Sequence, residues 1–175
     1  MIKKILIGIV VVIVAILGYA TTQPDSFKVE RHITINAPAE KIYANIADFH
    51  AWAGWSPWAK LDPAMKLSIG GTPSGVGATY DWEGNSDVGK GHMDITSATP
   101  PSKVVVKLDF MTPFESHNTT EFSMTPNGAG TDVSWVMFGP SPYVSKVMGV
   151  FMSMDKMIGK DFENGLTGLK VLSEK

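Results

Sequence analysis

Asp81 and Glu83 stand two residues apart, a spacing that on a strand puts both carboxylates on one face, roughly 7 Å from each other. Two acids so placed could divide general-acid and general-base roles. Their neighbours argue against it: Tyr80 and Trp82 alternate with them and take the apolar face, leaving the acids to solvent. His92 and Asp94 share a face of a second strand, and His117 and Glu121 lie on a third. A metal site needs three or four convergent ligands, and no HxxxH-type spacing occurs, so no metal is expected. The four histidines are scattered at 32, 50, 92 and 117. There is no GxSxG elbow and no nucleophile with an evident base. Tyr80, Asp109 and His117 are the only acid–base candidates, and strand parity puts Asp109 outside. No catalytic residue and no cofactor is assigned.

Two motifs resemble functional signatures and fail on context. Residues 84–91, GNSDVGKG, approach the phosphate loop GxxxxGK[ST], but Gly91 lacks the magnesium-binding hydroxyl. The segment also leads into a strand rather than a helix N-terminus, so it reads as a hairpin turn. Asn118-Thr119-Thr120 fits a glycosylation sequon, which matters only in a secretory eukaryotic cell.

The tryptophans carry more. Trp52, Trp55 and Trp58 put three of the chain's five within seven residues, beside Gly54 and Pro57. Rings in a loop could roof a cavity and stack on an apolar ligand. They could instead plug the end of a sheet as part of its core, or seat the molecule at a bilayer interface. Plugging is the leading expectation, with ligand contact next.

The whole chain bounds these readings. Its 175 residues are 44% hydrophobic and 18% charged, with a formal charge of −2, which suits one domain and argues against a nucleic-acid partner. Cysteine is absent, removing disulfides, thiolate nucleophiles and cysteine-based clusters. Ten methionines suit irregular apolar surfaces. Lys3 and Lys4 precede an uncharged run from Ile5 to Ala20, about 24 Å long as a helix. That is close to the ~30 Å hydrocarbon core of a bilayer. The expectation is an uncleaved single-pass anchor over residues 1–22, followed by a linker at 23–26 and a domain at 27–175. The lysines place the N-terminus in the cytoplasm and the domain outside it, in the periplasm if the cell is bacterial. A signal peptide cut after Ala20, giving a secreted or periplasmic protein, is the alternative.

Elements follow from periodicity. Phe27 to Ile35 reads as a strand, Asn36 to Phe49 as a helix with its start at Pro38, and the tryptophan segment as a second short helical turn. Short alternating strands then follow from Met65 to Phe138, joined by turns too short for crossover helices. From about Pro142 to Leu172, apolar residues 144, 147, 151, 154, 158, 162, 166 and 169 recur every three or four positions, which predicts one long helix. Glycines 149, 159, 165 and 168 interrupt it, for close approach or for bending.

This order resembles the START-like, helix-grip superfamily, and its SRPBCC branch of polyketide cyclase/dehydrase-like proteins. The matching pieces are residues 35–43 (INAPAEKIY), Asp48-Phe49 leading to Trp52, and Trp55-Ser56-Pro57-Trp58. Further matches are Gly75-Val76-Gly77-Ala78, Trp82-Glu83-Gly84-Asn85, Gly130 to Trp135, and Asp161 to Leu166. The resemblance spans about residues 27–172. It implies an α+β fold in which a seven-stranded antiparallel sheet, with two short helices after its first strand, curls around the C-terminal helix and encloses an apolar cavity. Strand parity would line that cavity with Tyr80, Trp82, Met93, Leu108, Phe110, Phe122, Trp135 and Met137. Met148, Phe151 and Met152 would face them from the helix, and Trp52, Trp55 and Trp58 would close one mouth. The expected function is a membrane-tethered binder of a hydrophobic small molecule or lipid, with residues 5–20 in the membrane. A cyclase- or dehydrase-like enzyme, and an interaction module with a vestigial cavity, are the alternatives. Oligomeric state is left open.

Overall fold

The computed structural model describes residues 2–175. Helix α1 (Ile2–Thr21) is followed by β1 (Ser26–Ile35), helix α2 (Ala39–Ala47) and two 3-10 turns at Phe49–Gly54 and Trp58–Lys60. The meander is β2 (Lys66–Gly71), β3 (Ala78–Glu83), β4 (Lys90–Thr99), β5 (Lys103–Thr112), β6 (Ser116–Asn127) and β7 (Gly130–Pro140). Helices α3 (Tyr143–Gly149) and α4 (Met154–Ser173) complete the chain. All seven strands form one antiparallel sheet in the order β1-β7-β6-β5-β4-β3-β2. The meander pairs each strand with its predecessor, and β7 then closes on β1. The fold is α+β, a sheet gripping the C-terminal helix.

The expected single helix at 142–172 is two. The chain leaves helical geometry after Gly149, and Ser153 restarts it by accepting the Lys156 amide on its Oγ. The reason lies in α1. The Tyr143 hydroxyl donates to the Leu17 carbonyl at 3.0 Å, and Lys146 pairs with Asp25, which drops the Asp25 carboxyl below its ordinary value. These contacts turn α3 against the end of α1 and away from the sheet.

Helix α4 is held along β1 by polar contacts at both ends. Among the described residues Arg31 is the only charged one at an inward position of the strands, and its guanidinium reaches Asp155 at 2.7 Å and Glu163 at 3.1 Å. At the far end Lys170 donates to the Thr34 carbonyl and Glu174 accepts the Asn36 amide. Three of the four glycines permit this close approach. A Cβ on Gly159 would collide with the Arg31 guanidinium, one on Gly165 would lie 2.6 Å from the Trp135 ring, and one on Gly168 would lie 2.7 Å from the Trp55 carbonyl. Gly149 has open space around it.

Two outcomes follow. Gly168→Ala should lower stability by about 1–3 kcal/mol despite alanine's better helix propensity, because the backbone it meets has to move. Gly149→Ala should be neutral or slightly stabilising; equal losses at both sites in denaturant melts would contradict this account of the glycines. The second outcome concerns acid. Its bond to Arg31 holds Asp155 below the ordinary 3.8, and Lys160 and then Arg31 hold Glu163 below 4.5. The stability these pairs add is complete above those values and is lost as pH falls through the lowered ones. Arg31→Leu should therefore flatten the acid side of the pH–Tm profile, whereas an unchanged slope would show the pairs contribute nothing.

Candidate functional site

The concave face of the sheet is apolar by strand parity, and what covers it changes along the strands. At the closed end Ile35, Val133, Met124 and Val104 are fully buried beneath α2 and the second half of α4. In the middle lies an aromatic layer. Trp52 and Trp55 are 4% and 2% exposed, and their indole N–H groups donate to the carbonyls of Ile46 and Asn45 on α2. Those two bonds satisfy the polar edge of each ring and lock the turn beneath the helix. Trp55 sits edge-on to Trp135 and Phe122, half-buried Trp58 reaches Trp135 and Phe162, and Trp135 stacks on Phe162 at 4.2 Å between ring centroids. The tryptophan segment thus fills the space between sheet and helix as core.

The other end is different. Successive rows across the sheet lead from Val29, Met137, Thr120, Val106 and Ile95, all buried, to Phe27, Gly139, Asn118, Leu108, Met93 and Tyr80. In that outer row Phe27 and Leu108 are half-buried, and beyond it Phe110 is half-buried and stands edge-on to Trp82. Helix α4 starts at Met154 and meets β1 at Arg31, so these last rows extend past its N-terminus. Leu108 and Phe110 are left partly exposed there, beside Met93, Tyr80 and Trp82, which are buried. A surface depression lined by Asp25, Ser116, Pro140 and Pro142 opens on the same rim. This is also the end where β1 receives the chain from α1.

All eight residues expected from parity lie on the concave face. They split: Tyr80, Trp82, Met93, Phe122, Trp135 and Met137 are buried in the core, Tyr80 against Phe49 and Trp52, while Leu108 and Phe110 at the far end are partly exposed. Met148, Phe151 and Met152, expected opposite them, are 44%, 71% and 52% exposed. They face away because the helix breaks and α3 turns to α1.

The polar candidates stay outside. Asp81 and Glu83 are exposed, with Asp81 on His92 at 2.7 Å and Glu83 on Lys90 at 3.1 Å. Burial lowers the His92 pKa, but its bonds to Asp81 and Asp94 outweigh that and raise it overall. Asp109 is held by Lys107 and His117 on the outer face. Among the described residues no three or more histidines or acids converge as a metal site would need. Inside, burial raises the Tyr80 phenol above its ordinary value, so it remains a protonated donor at neutral pH. The residues that sequence reasoning passed over are Ser116, Asn118 and Thr120, three inward positions of β6. The signal was available: these alternate in step with Phe122 and Met124, so parity alone places a polar run inside.

The chain was compared with known proteins. The sequence profile described as polyketide cyclase / dehydrase and lipid transport matches residues 26–174. No curated protein matches. Among solved structures, a protein of Chromobacterium violaceum superposes with a TM-score of 0.60 at 17% identity, covering 87% of this chain and 99% of that one. A Mycobacterium smegmatis protein gives 0.57 at 18% identity, with 83% and 89% covered. The di-domain ARO/CYC StfQ from the steffimycin biosynthetic pathway gives 0.63 at 13% identity, with 85% of this chain and 51% of that one covered. At such identities these likenesses speak for the fold alone. The profile match over nearly the whole of the chain beyond α1 decides the rest: the protein belongs to the polyketide cyclase/dehydrase and lipid transport family, of the SRPBCC type.

Proposed function

We propose that this protein is a membrane-tethered binding domain that holds a hydrophobic small molecule or lipid in a hollow at the open end of its sheet, against Leu108 and Phe110. The observation that carries this reading is the uncovered apolar end itself. Leu108 and Phe110 are inward residues of a central strand, yet they stay half-exposed because α4 starts short of them. Leaving such surface in water costs about 25 cal/mol per Å². The site is mostly apolar with few polar groups, as small-molecule pockets are.

The tether supports the same reading. Helix α1 has 20 residues, is long and apolar enough to cross a bilayer, and is exposed along nearly its whole length. A signal sequence passes the same test of length and composition. What favours retention is its packing on α3, where the Tyr143 hydroxyl donates to the Leu17 carbonyl, a contact a cleaved leader would not need. Lys3 and Lys4 keep the N-terminus in the cytoplasm under this reading, and the domain sits on the opposite side. The hollow then opens toward the membrane. Tyr143, Val144, Met148, Phe151 and Met152 are exposed apolar side chains beside that opening, and Met111 and Phe114 lie on the adjoining β5–β6 hairpin.

Two measurements test this. The protein recovered from membranes should keep its N-terminal residues, with a mass that includes α1; a chain starting at Thr21 would refute the tether. Its organic extract should contain apolar molecules that are lost when Leu108→Trp fills the hollow, while cooperative unfolding persists. Trp55→Ala, in the packed layer, should instead destabilise the fold by about 3–5 kcal/mol. An empty wild type, or an unchanged load in Leu108→Trp, would refute binding in the hollow.

A further inference from the structure

Helix α3 takes no part in the core. Its seven residues include none that is buried, and Val144, Met148, Phe151 and Met152 are exposed in it and in the turn that follows. An isolated helix shorter than about 12–15 residues is marginal in water, so one this short needs a surface to form on. Part of that surface is α1. The Tyr143 hydroxyl donates to the Leu17 carbonyl at 3.0 Å, and α3 packs on the end of α1. Among residues 2–23 only Ile16, Ala20 and Gln23, which recur at helical spacing, are covered.

This contact fixes the depth of α3. Leu17 stands about 6 Å before the end of α1 at Thr21, at the rise of an α-helix. With α1 across the bilayer, α3 therefore begins where hydrocarbon meets headgroups. Two exposed tyrosines meet at this level, Tyr143 through its bond to Leu17 and Tyr19 just beyond that residue. Tyrosine is favoured at membrane interfaces. Charge is arranged to match. From Val133 to Met154 the sequence holds a single charged residue, Lys146. Its largely covered side chain reaches Asp25, which lies past the end of α1. The exposed apolar side chains are left with no free charge among them. The β5–β6 hairpin adds exposed Met111 and Phe114, and the depression that joins residues 115–117 to Asp25 and Pro142 sets it on the same edge.

We propose that α3 and the turn through Met152 are a second membrane contact, which lies in the bilayer interface and seats the domain on the lipid. The occupant of this face is phospholipid. The depth set by Leu17 falls within the roughly 5–10 Å to which interfacial helices bury their apolar faces. Zwitterionic lipid suffices, because the one cation of the segment is paired with Asp25. The inference rests on α1 crossing the bilayer and is independent of what the sheet binds.

The chain has no cysteine, so Met148→Cys, Phe151→Cys, Val12→Cys and Ala129→Cys each provide one site for a nitrobenzoxadiazole label. Position 12 is mid-span in α1, and position 129 is on the β6–β7 turn at the far end of the sheet. The full-length protein would be placed in phosphatidylcholine vesicles that carry a nitroxide either near the headgroups or deep in the acyl chains. Labels at 148 and 151 should lose emission to the shallow nitroxide and read about 5–10 Å below the headgroups. The label at 12 should be quenched by the deep nitroxide, and that at 129 by neither. Adding Val144→Asp and Met152→Asp should release the label at 151 while leaving the label at 12 quenched and the melting temperature unchanged. Quenching at 151 that survives both aspartates would overturn the role of the face. Quenching at 12 without quenching at 148 and 151 would overturn the seating and leave the tether standing, whereas none at 12 would overturn both. A label at 151 that is shielded from water yet unquenched, with emission that rises with the protein-to-lipid ratio, would assign the face to a second copy and overturn the proposal.

Discussion

The seating of α4 on the aromatic layer is the contact on which the rest of the molecule depends. Trp135 stacks on Phe162, the Trp135 ring lies against Gly165, and the Trp55 carbonyl lies against Gly168. Side chains at those two positions would lift the helix off the sheet. Because the tryptophan segment is bonded to α2 through Trp52 and Trp55, one layer joins α2, the sheet and α4. Aromatic pairs of this geometry add about 0.5–1.5 kcal/mol each beyond the area they bury. Closing one end of the sheet this firmly confines any opening to the other.

That opening follows from a competition for α3. Its apolar stripe continues that of α4 in sequence, and a straight helix would carry it over the last rows of the sheet. The contacts to α1 win instead, so the helix breaks and the sheet keeps a partly covered end beside α1. The partly covered end of the sheet and the apolar helix α1 are linked through one short helix, α3.

Much of this was legible in the residues. Alternation gave the inward set correctly from Tyr80 to Met137, because a sheet with one buried face leaves strand parity no freedom. Plugging by Trp52 and Trp55 was readable from the rings' size. The break at Val150–Ser153 was not, since the stripe from Val144 to Leu169 is unbroken and only a tertiary partner diverts it. Gly149 was one of four candidates for bending, and nothing local separates it from the three that serve close approach. Asn118 was visible by parity but drew notice only as part of a glycosylation sequon. Its burial against Gly139 appears only once the strands are placed.

The most direct test of the central claim is photolabelling with a diazirine-bearing long-chain alcohol, followed by mapping of the adducts by mass spectrometry. Adducts within the sheet at Phe27, Met93, Leu108 and Phe110 are predicted. Labelling of α3 alone, with none within the sheet, would contradict a binding hollow at its open end.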